Sequence, residues 1–299
     1  MLMNNFIKLI FMLLAIAYFT LMERKVLSLS QMRLGPNKTS MIGILQPILD
    51  GIKLLKKFLI LPLNSMVLFL MITSILMLII SLFLWFIYPF FSFINKNHFF
   101  LWILLIFGML SYFILMIGWT SLNKFSYLGG ARGVSQSLSF EILILLLIVT
   151  PFMITNKASL TLINQFSVIN VNLMFIFFFL SILECQRSPM DLSEGESELV
   201  SGYNIELSSV MFIFIFLSEY NTMIFMMSIM WFIYLKMMSL LLCLSLFLML
   251  LIRSCFPRIR YDHLMFTFWL KVLPLIILIL MIMVNFKQIF NFSGKSHMM

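Results

Sequence analysis

The run MVLFLMITSILMLIISLFLWFIYP (66–89) decides the fold, because it contains no charged residue along its whole length. A helix that crosses a bilayer needs about 20 mostly apolar residues. Its segment 76–86 has no polar stripe, whereas a strand of an outer-membrane barrel alternates apolar and polar side chains over about 10 residues. The run therefore predicts a transmembrane helix.

Runs of the same kind repeat along the chain. Of the 299 residues, 63% are hydrophobic and 10% are charged, whereas a soluble domain has roughly 25% charged residues. Spanning helices are predicted near residues 4–22, 66–89, 99–119, 138–155, 170–186, 207–230, 236–252 and 272–289. The sequence thus predicts an all-α integral membrane protein with about eight transmembrane helices, forming a single polytopic membrane domain over residues 1–299.

The first connection between predicted spans contains a helix of its own. From Gln46, polar residues recur at spacings of four, three and four up to Lys57, and apolar residues such as Ile48 and Ile52 fill the other face. Pro47 suits a first helical turn. The pattern predicts an amphipathic helix in the membrane interface. A short surface helix that serves only as an anchor fits the same periodicity.

Charge is concentrated on one side of the predicted membrane. Fourteen of the 20 Lys and Arg residues lie in the connections 23–65, 120–137, 187–206 and 253–271. All 11 acidic residues lie in these connections or in the helices that bound them. Because positive loops stay on the matrix or cytoplasmic side, we expect these four connections to be inner loops and both termini to face the opposite side.

Several classes of site find no support in the sequence. The three cysteines lack CxxC spacing, and no two of the three histidines lie four residues apart, so no disulfide framework, zinc site, iron–sulfur site or haem site is signalled. The stretch GGARG (129–133) lacks the spacing and the preceding strand of a dinucleotide site. We therefore expect a redox cofactor only on another chain, or a diffusible membrane molecule as substrate.

The third inner segment, ECQRSPMDLSEGESELVSGYN (184–204), is strongly acidic. Three of its carboxylates, Glu194, Glu196 and Glu198, are close in sequence. Near a low-dielectric phase such groups titrate together, so they can share or release protons. Ser193 and Glu196 also fit a capping box, which would make Glu196 a helix cap.

Two further carboxylates, Glu141 and Glu219, fall inside predicted spans, Glu141 about one turn into its helix and Glu219 near mid-bilayer. An ionisable group inside a membrane is costly unless it is neutral, paired or hydrated, so a function is the default hypothesis. The alternative is a protonated glutamate that forms a hydrogen bond with a neighbouring helix.

The inner segments carry recognisable motifs in a fixed order. Among them are ERKVL (23–27), QMRLGPNK (31–38), EGESELVSGYN (194–204) and PRIRYDHLM (257–265). They resemble the inner-loop signatures of the subunit 1 family of the respiratory NADH:quinone oxidoreductase, complex I. The run 194–204 is the most specific, and the family has Phe or Tyr at the position of Tyr203.

The resemblance implies eight helices and a sealed channel. Ubiquinone would enter this channel from the lipid, between the first span, the amphipathic helix and the sixth span. The residues that the resemblance places along the channel are Arg24, Arg33, Asp50, Lys53, Arg187, Arg258 and Arg260. Those that it places on an acidic path toward the proton pumps are Glu141, Glu184, Asp191, Glu194, Glu196, Glu198, Glu219 and Tyr220.

The resemblance also implies the role and surroundings of the chain. It would act as a subunit of an NADH:ubiquinone reductase that translocates protons, with no catalytic residue, metal, NADH, flavin or iron–sulfur site of its own. FMN and iron–sulfur clusters would lie on partner subunits. The implied partners are the quinone-site and terminal iron–sulfur subunits on the matrix side, small membrane subunits toward the pumps, ubiquinone and lipid, and no nucleic acid. The implied location is the mitochondrial inner membrane, with both termini in the intermembrane space.

Three positions depart from the family pattern. The Trp-Lys pair that opens the last helix reads Trp269-Leu270-Lys271 here, which puts a role for Lys271 in doubt. The family's ENR or TNR triplet reads CQR (185–187), and its RKG turn reads RLG (33–35). A stand-alone proton-coupled transporter is the alternative function, although the sequence has no internal repeat of the kind that many transporters show. A passive scaffold would leave Glu219 and the acid cluster unexplained.

Overall fold

The computed structural model of the protein describes residues 2–58, 65–87, 99–155, 168–184, 186–191, 193, 201–235 and 240–296. Within these ranges the helices are α1 (Leu2–Ser30), α2 (Gln46–Lys56), α3 (Val67–Ile87), α4 (Phe99–Thr120), α5 (Lys124–Thr155), α6 (Val168–Glu184), α7 (Ser209–Leu235), α8 (Leu240–Cys255), α9 (Tyr261–Thr267) and α10 (Leu273–Ser296).

The described helices confirm an all-α membrane protein. Six helical stretches are long and apolar enough to cross a membrane, namely α1, α3, α4, α5, α7 and the stretch formed by α9 and α10. The apolar parts of α6 and α8 are shorter, at Asn172–Glu184 and Leu241–Cys255. Six long spans and two short apolar helices correspond to the positions of the eight predicted spans.

The predicted amphipathic helix is present as α2, with Pro47 in its first turn. Its apolar residues Ile48, Leu49 and Ile52 are exposed, and the helix packs against α1 and α7. The loop between α1 and α2 folds back onto the end of α1, because the Lys25 amine donates to the carbonyl oxygen of Ile42 at 2.6 Å. The exposed apolar face of α2 is therefore available to lipid.

The prediction that residues 120–137 form a loop is wrong. Helix α5 begins at Lys124, so Glu141 lies near its middle rather than one turn from its start. Several of the polar residues that suggested a loop are buried between helices: the side-chain amide of Gln136 is fully buried and donates to the carbonyl oxygen of Leu183 at 2.9 Å. Gly118 and Gly130 let α4 and α5 approach closely, since a Cβ on Gly130 would lie 3.2 Å from the Gly118 Cα.

The last helical stretch also begins earlier than predicted, at Tyr261 rather than near residue 272, and it contains a π-helical turn at Phe268–Val272. There the Leu273 amide donates to the carbonyl oxygen of Phe268, five residues earlier. Pro274 follows, which has no N–H and whose ring clashes with the carbonyl one α-turn before it. The wider π turn accommodates this proline. Lys271 lies exposed within it.

Helix α7 is the centre of the bundle. It packs against α1, α2, α3, α5, α6 and α8, and its residues from Met223 to Met230 are almost completely buried. Polar contacts fix its rotation: the Trp85 indole donates to the Asn221 Oδ1 atom at 2.6 Å, and the Asn221 amide donates to the Ser81 carbonyl oxygen at 2.6 Å. The face of α7 that bears Glu219 and Tyr220 is thereby oriented.

Replacing Asn221 with Leu is expected to reduce the stability of the bundle. The change removes the acceptor of the buried Trp85 N–H, and such a loss costs about 1–3 kcal/mol. The measurement is the midpoint of thermal unfolding of the chain in mild detergent. Asn172→Leu is the matched control, because Asn172 is exposed on α6. Equal midpoints for the two variants would contradict the prediction.

Candidate functional site

A buried ion pair joins the segment after α6 to the middle of α7. The Arg187 Nη2 atom lies 2.7 Å from Glu219 Oε2, and both side chains are about nine-tenths buried. The hydroxyl of Tyr203 donates to the other carboxylate oxygen, Glu219 Oε1. Arg187, Glu219 and Tyr203 form what we call the Glu219 cluster. Both oxygens of this deep carboxylate are thus bound by donors.

A second buried ion pair, which we call the Glu23 cluster, joins the ends of α1 and α8. Arg253 donates through Nη1 to Glu23 Oε1, and Tyr220 donates its hydroxyl to Glu23 Oε2 at 2.5 Å. The Nε atom of Arg253 also donates to the Ser188 hydroxyl at 2.9 Å. Glu23 is 8% exposed. Helices α1, α7 and α8 therefore meet around one carboxylate.

Tyr220 connects the two clusters. Its hydroxyl belongs to the Glu23 cluster, while its ring centroid lies 5.1 Å from the guanidinium carbon of Arg187. The same guanidinium carbon lies 5.4 Å from the ring of Phe216, one turn earlier on α7. Cation–π contacts of this kind are strongest when water is excluded. A change of charge in either cluster therefore alters the electrostatic environment of the other.

A small cavity lies beside the Glu219 cluster. Its volume is about 30 Å³, and its polar lining includes Glu184, Glu219, Gln186, Ser111 and Thr222. A water molecule needs at least about 10–15 Å³ and two to four polar partners, so the cavity can hold water. The buried Oε2 atom of Glu184 has no hydrogen-bond partner among the residues that the structure describes. A water molecule in the cavity would be able to form a hydrogen bond with this oxygen.

Glu141 lies near the same cavity. A Cβ on Gly108 of α4 would lie 3.2 Å from the Glu141 Oε1 atom, so the glycine makes room for this carboxylate. Glu141 and Glu184 are close enough for their carboxyl groups to interact electrostatically. Three acids of the predicted path, Glu141, Glu184 and Glu219, are thus brought together from α5, α6 and α7.

The predicted channel residues divide into two groups. At the start of α2, Asp50 forms an ion pair with Arg24 at 2.5 Å, and its other oxygen accepts from the Gln46 amide at 2.9 Å. Arg33 and Lys53 are exposed nearby in sequence. This group forms an open, charged surface where α1 meets α2.

The other predicted channel residues lie near the Glu219 cluster or in the segment before α9. Arg187, predicted for the channel, is paired with Glu219, predicted for the acidic path. Arg258 lies 3.9 Å from Asp191, and the Ile259 amide donates to the Pro189 carbonyl oxygen at 3.0 Å. Arg260 pairs at 3.0 Å with the exposed Asp262. The inner segments after α6 and before α9 are thus held together.

Some expectations fall outside the structure. Glu194, Glu196 and Glu198 lie outside the described residues, so their arrangement stays a prediction. Within the described ranges, no group of three or more His, Cys, Asp or Glu side chains is placed to hold a metal ion.

Sequence reasoning missed Glu23, Arg253 and Tyr203 as site residues. Glu23 and Arg253 are 230 residues apart and become partners only through the packing of α1 against α8. The sequence did contain one signal for these two residues. Each charge lies toward the end of an apolar helix, where it would need a partner. The signal for Tyr203 was its position in the most specific motif of the chain.

A family model described as NADH dehydrogenase matches residues 3–284. The chain is 38% identical to NADH-ubiquinone oxidoreductase chain 1 of Artemia franciscana over 277 residues, which covers 90% of this chain and 93% of the relative. It is 38% identical to the protein of that name from Apis mellifera ligustica, which covers 96% of this chain and 98% of the relative. The identity to the protein of that name from Heterololigo bleekeri is 32%, which covers 97% of this chain and 98% of the relative.

The two kinds of ion pair are expected to differ in their effect on stability. Arg187→Met leaves Glu219 buried without its cation and is expected to cost about 3–5 kcal/mol. Arg24→Met breaks a largely exposed pair and is expected to cost no more than about 1 kcal/mol. The measurement is the temperature at which the chain is lost from the detergent-solubilised assembly. The double variant Arg187→Met/Glu219→Leu should recover much of the loss, and a double variant as unstable as Arg187→Met would contradict the assignment.

Proposed function

The chain belongs to the NADH dehydrogenase family, and on this premise we propose that it guides ubiquinone and couples quinone reduction to proton movement as a membrane subunit of NADH-ubiquinone oxidoreductase. The relatives that carry this name match nearly the whole chain. Other complex I subunits are accordingly its partners. Hydride transfer and electron transfer would take place on those partners, with FMN and iron–sulfur clusters, while this chain supplies a path for the substrate and for charge.

The surface around α2 supports a quinone entrance. Ubiquinone has a long apolar tail, so it reaches a protein from within the lipid. The exposed apolar side of α2 faces outward, while Arg24 and Asp50 form an ion pair between α1 and α2. A quinone that slides between the two helices would leave its tail against apolar side chains and bring its head group to charged ones.

The cavity between α4, α6 and α7 supports a proton path. Glu184 and Glu219 line it together, and Glu141 lies close by. Ionisable groups inside a membrane protein mark proton relays when they can be hydrated. In the proposed path the acid segment 194–198 would continue this series on the matrix side.

The observation that carries the proposal is the bridge formed by Tyr220. Glu23 is next in sequence to Arg24, which is predicted to line the channel, and Glu219 is predicted to lie on the acidic path. Tyr220 contacts both the Glu23 cluster and the Glu219 cluster. Reduction of quinone places negative charge in the channel, and the proton that follows removes it. Through the Glu23 cluster and Tyr220, that change would alter the charge balance at Glu219 without any movement of quinone toward it.

The location follows from the same proposal. Complex I subunits of this family lie in the mitochondrial inner membrane. Because the inner loops carry most of the positive charge, these loops would face the matrix, and both termini would face the intermembrane space.

A photoreactive quinone analogue is expected to crosslink to residues between Met22 and Lys57 in the assembled complex. The physical reason is that this segment contains both the apolar face of α2 and the charged residues for the head group. The measurement is mass spectrometry of labelled peptides, with excess unlabelled quinone as the competition control. Competable labelling confined to α8 and α10 would contradict the proposed entrance.

Glu184→Gln is expected to lower quinone-dependent turnover, or the number of protons moved per turnover, by about tenfold or more. The loss of one proton-exchanging group beside the cavity needs to change an activation step by only about 1.4 kcal/mol to have this effect. NADH oxidation by an artificial acceptor that acts upstream of quinone should stay normal.

Glu206→Gln is the matched control for this variant. The Glu206 Oε1 atom accepts from the Asn123 amide at 3.0 Å, and Gln retains that acceptor. Wild-type turnover and stoichiometry in an assembled Glu184→Gln complex would remove Glu184 from the proposed path.

A further inference from the structure

The side chain of Tyr203 is completely buried, and the proton path proposed above does not include it. It lies in the short 3₁₀ turn Gly202–Asn204, directly after the acid segment and before α7. Its hydroxyl reaches Glu219 on α7. A buried phenol aimed at a membrane carboxylate calls for a functional explanation.

The backbone around Tyr203 fixes the position of the ring. Gly202 has a positive φ of 56°, which favours glycine. A Cβ on Gly129 of α5 would lie 2.7 Å from the Tyr203 nitrogen and 2.8 Å from the Gly202 Cα, so only glycine at 129 permits this approach. The turn therefore packs directly against α5, and this contact fixes the backbone position from which the Tyr203 side chain extends.

The two oxygens of Glu219 have chemically different partners. Oε2 faces Arg187, whose guanidinium has donors only and cannot accept a hydrogen bond. Oε1 faces the hydroxyl of Tyr203, which can donate to a carboxylate or accept from a carboxylic acid. A proton on Oε2 would point at a cation, whereas a proton on Oε1 would find an acceptor.

We propose that Tyr203 is a positioning residue for Glu219, which makes Oε1 the oxygen that takes up and releases the proton while Arg187 holds Oε2. This inference rests on the proposed proton path. When Glu184 gives up a proton across the cavity and Glu219 binds it, an O–H bond forms at Oε1 and Glu184 is left ionised. The new O–H donates to the Tyr203 oxygen, and the phenolic hydrogen turns away.

Several other ionisable groups near Glu219 in the described part of the chain are bound to other partners or lie across the cavity. On its own helix, Tyr220 donates to Glu23 of α1, which is also bound by Arg253 of α8. From α6, Glu184 lines the same cavity. Glu141 of α5 acts on Glu184, and the lining of the cavity also includes Met77 of α3, Ser111 of α4, Gln186 and Thr222.

The variant Tyr203→Phe tests the role of the hydroxyl, because Phe keeps the ring and the family itself has Phe or Tyr here. We expect quinone-dependent turnover per assembled complex to fall by roughly tenfold at neutral pH. We also expect its pH profile to move toward higher pH, since the carboxylate has lost one of its two donors. The assay is quinone-dependent NADH oxidation and proton pumping in inner-membrane vesicles across the pH range. NADH oxidation by the upstream artificial acceptor serves to count assembled complexes, so a change in assembly does not affect the result.

Tyr234→Phe is the matched control. Tyr234, on α7, is also a buried tyrosine, but its hydroxyl donates to the Leu147 carbonyl oxygen at 3.0 Å. This variant should leave the pH profile unchanged. In addition, Tyr203→Phe should have no further effect in a Glu219→Gln background, because the hydroxyl acts only through that carboxylate.

The outcomes separate this inference from the proposal on which it rests. A wild-type pH profile for Tyr203→Phe, together with an impaired Glu219→Gln, would overturn the role of Tyr203 and leave the proton path intact. A fully active Glu219→Gln would overturn the path itself. An equal shift for Tyr203→Phe and Tyr234→Phe would show that the effect comes from the loss of any buried hydroxyl, and it would also overturn the role of Tyr203.

Discussion

A charge inside a helix bundle is stable only where an opposite charge or hydrogen-bond donors meet it, and this constraint organises the described part of the chain. Glu23 is met by Arg253, and Glu219 is met by Arg187. Each pair joins segments that are distant in sequence. Glu219 and Tyr220 are neighbours on α7, so both clusters are anchored at the helix that packs against most of the others.

The sequence was sufficient for the features that depend on local pattern. Hydropathy located the apolar helices, and a spacing of three and four residues located α2. It failed where polar residues are buried between helices. The serines, glycines and Gln136 in the first half of α5 resembled a loop, although they pack against α4 and α6. Partners such as Glu23 and Arg253 could not be predicted, because their meeting depends on the order and rotation of helices around α7.

The two clusters have a chemical consequence for energy coupling. Both are built from ionisable side chains that are bound to one another, and such groups respond to a change of charge and can exchange protons. Two ion pairs that share a tyrosine form a system in which the neutralisation of one partner leaves an unbalanced charge on the other. In a low-dielectric surrounding, such an imbalance acts over several ångströms. Such a system is suited to the electrostatic coupling that we propose for this chain.

The length of α5 has a mechanical consequence. Its 32 residues span about 48 Å at 1.5 Å per residue, whereas the hydrocarbon part of a bilayer is about 30 Å thick. An upright α5 is therefore longer than this layer is thick, so a helical segment rather than a loop would extend beyond it. The protruding turns contact the last helical stretch, where Ser135 and the Tyr261 hydroxyl are 2.9 Å apart. Because this segment is continuous with the rest of α5, a tilt of the helix within the lipid would also displace the contact between Ser135 and Tyr261.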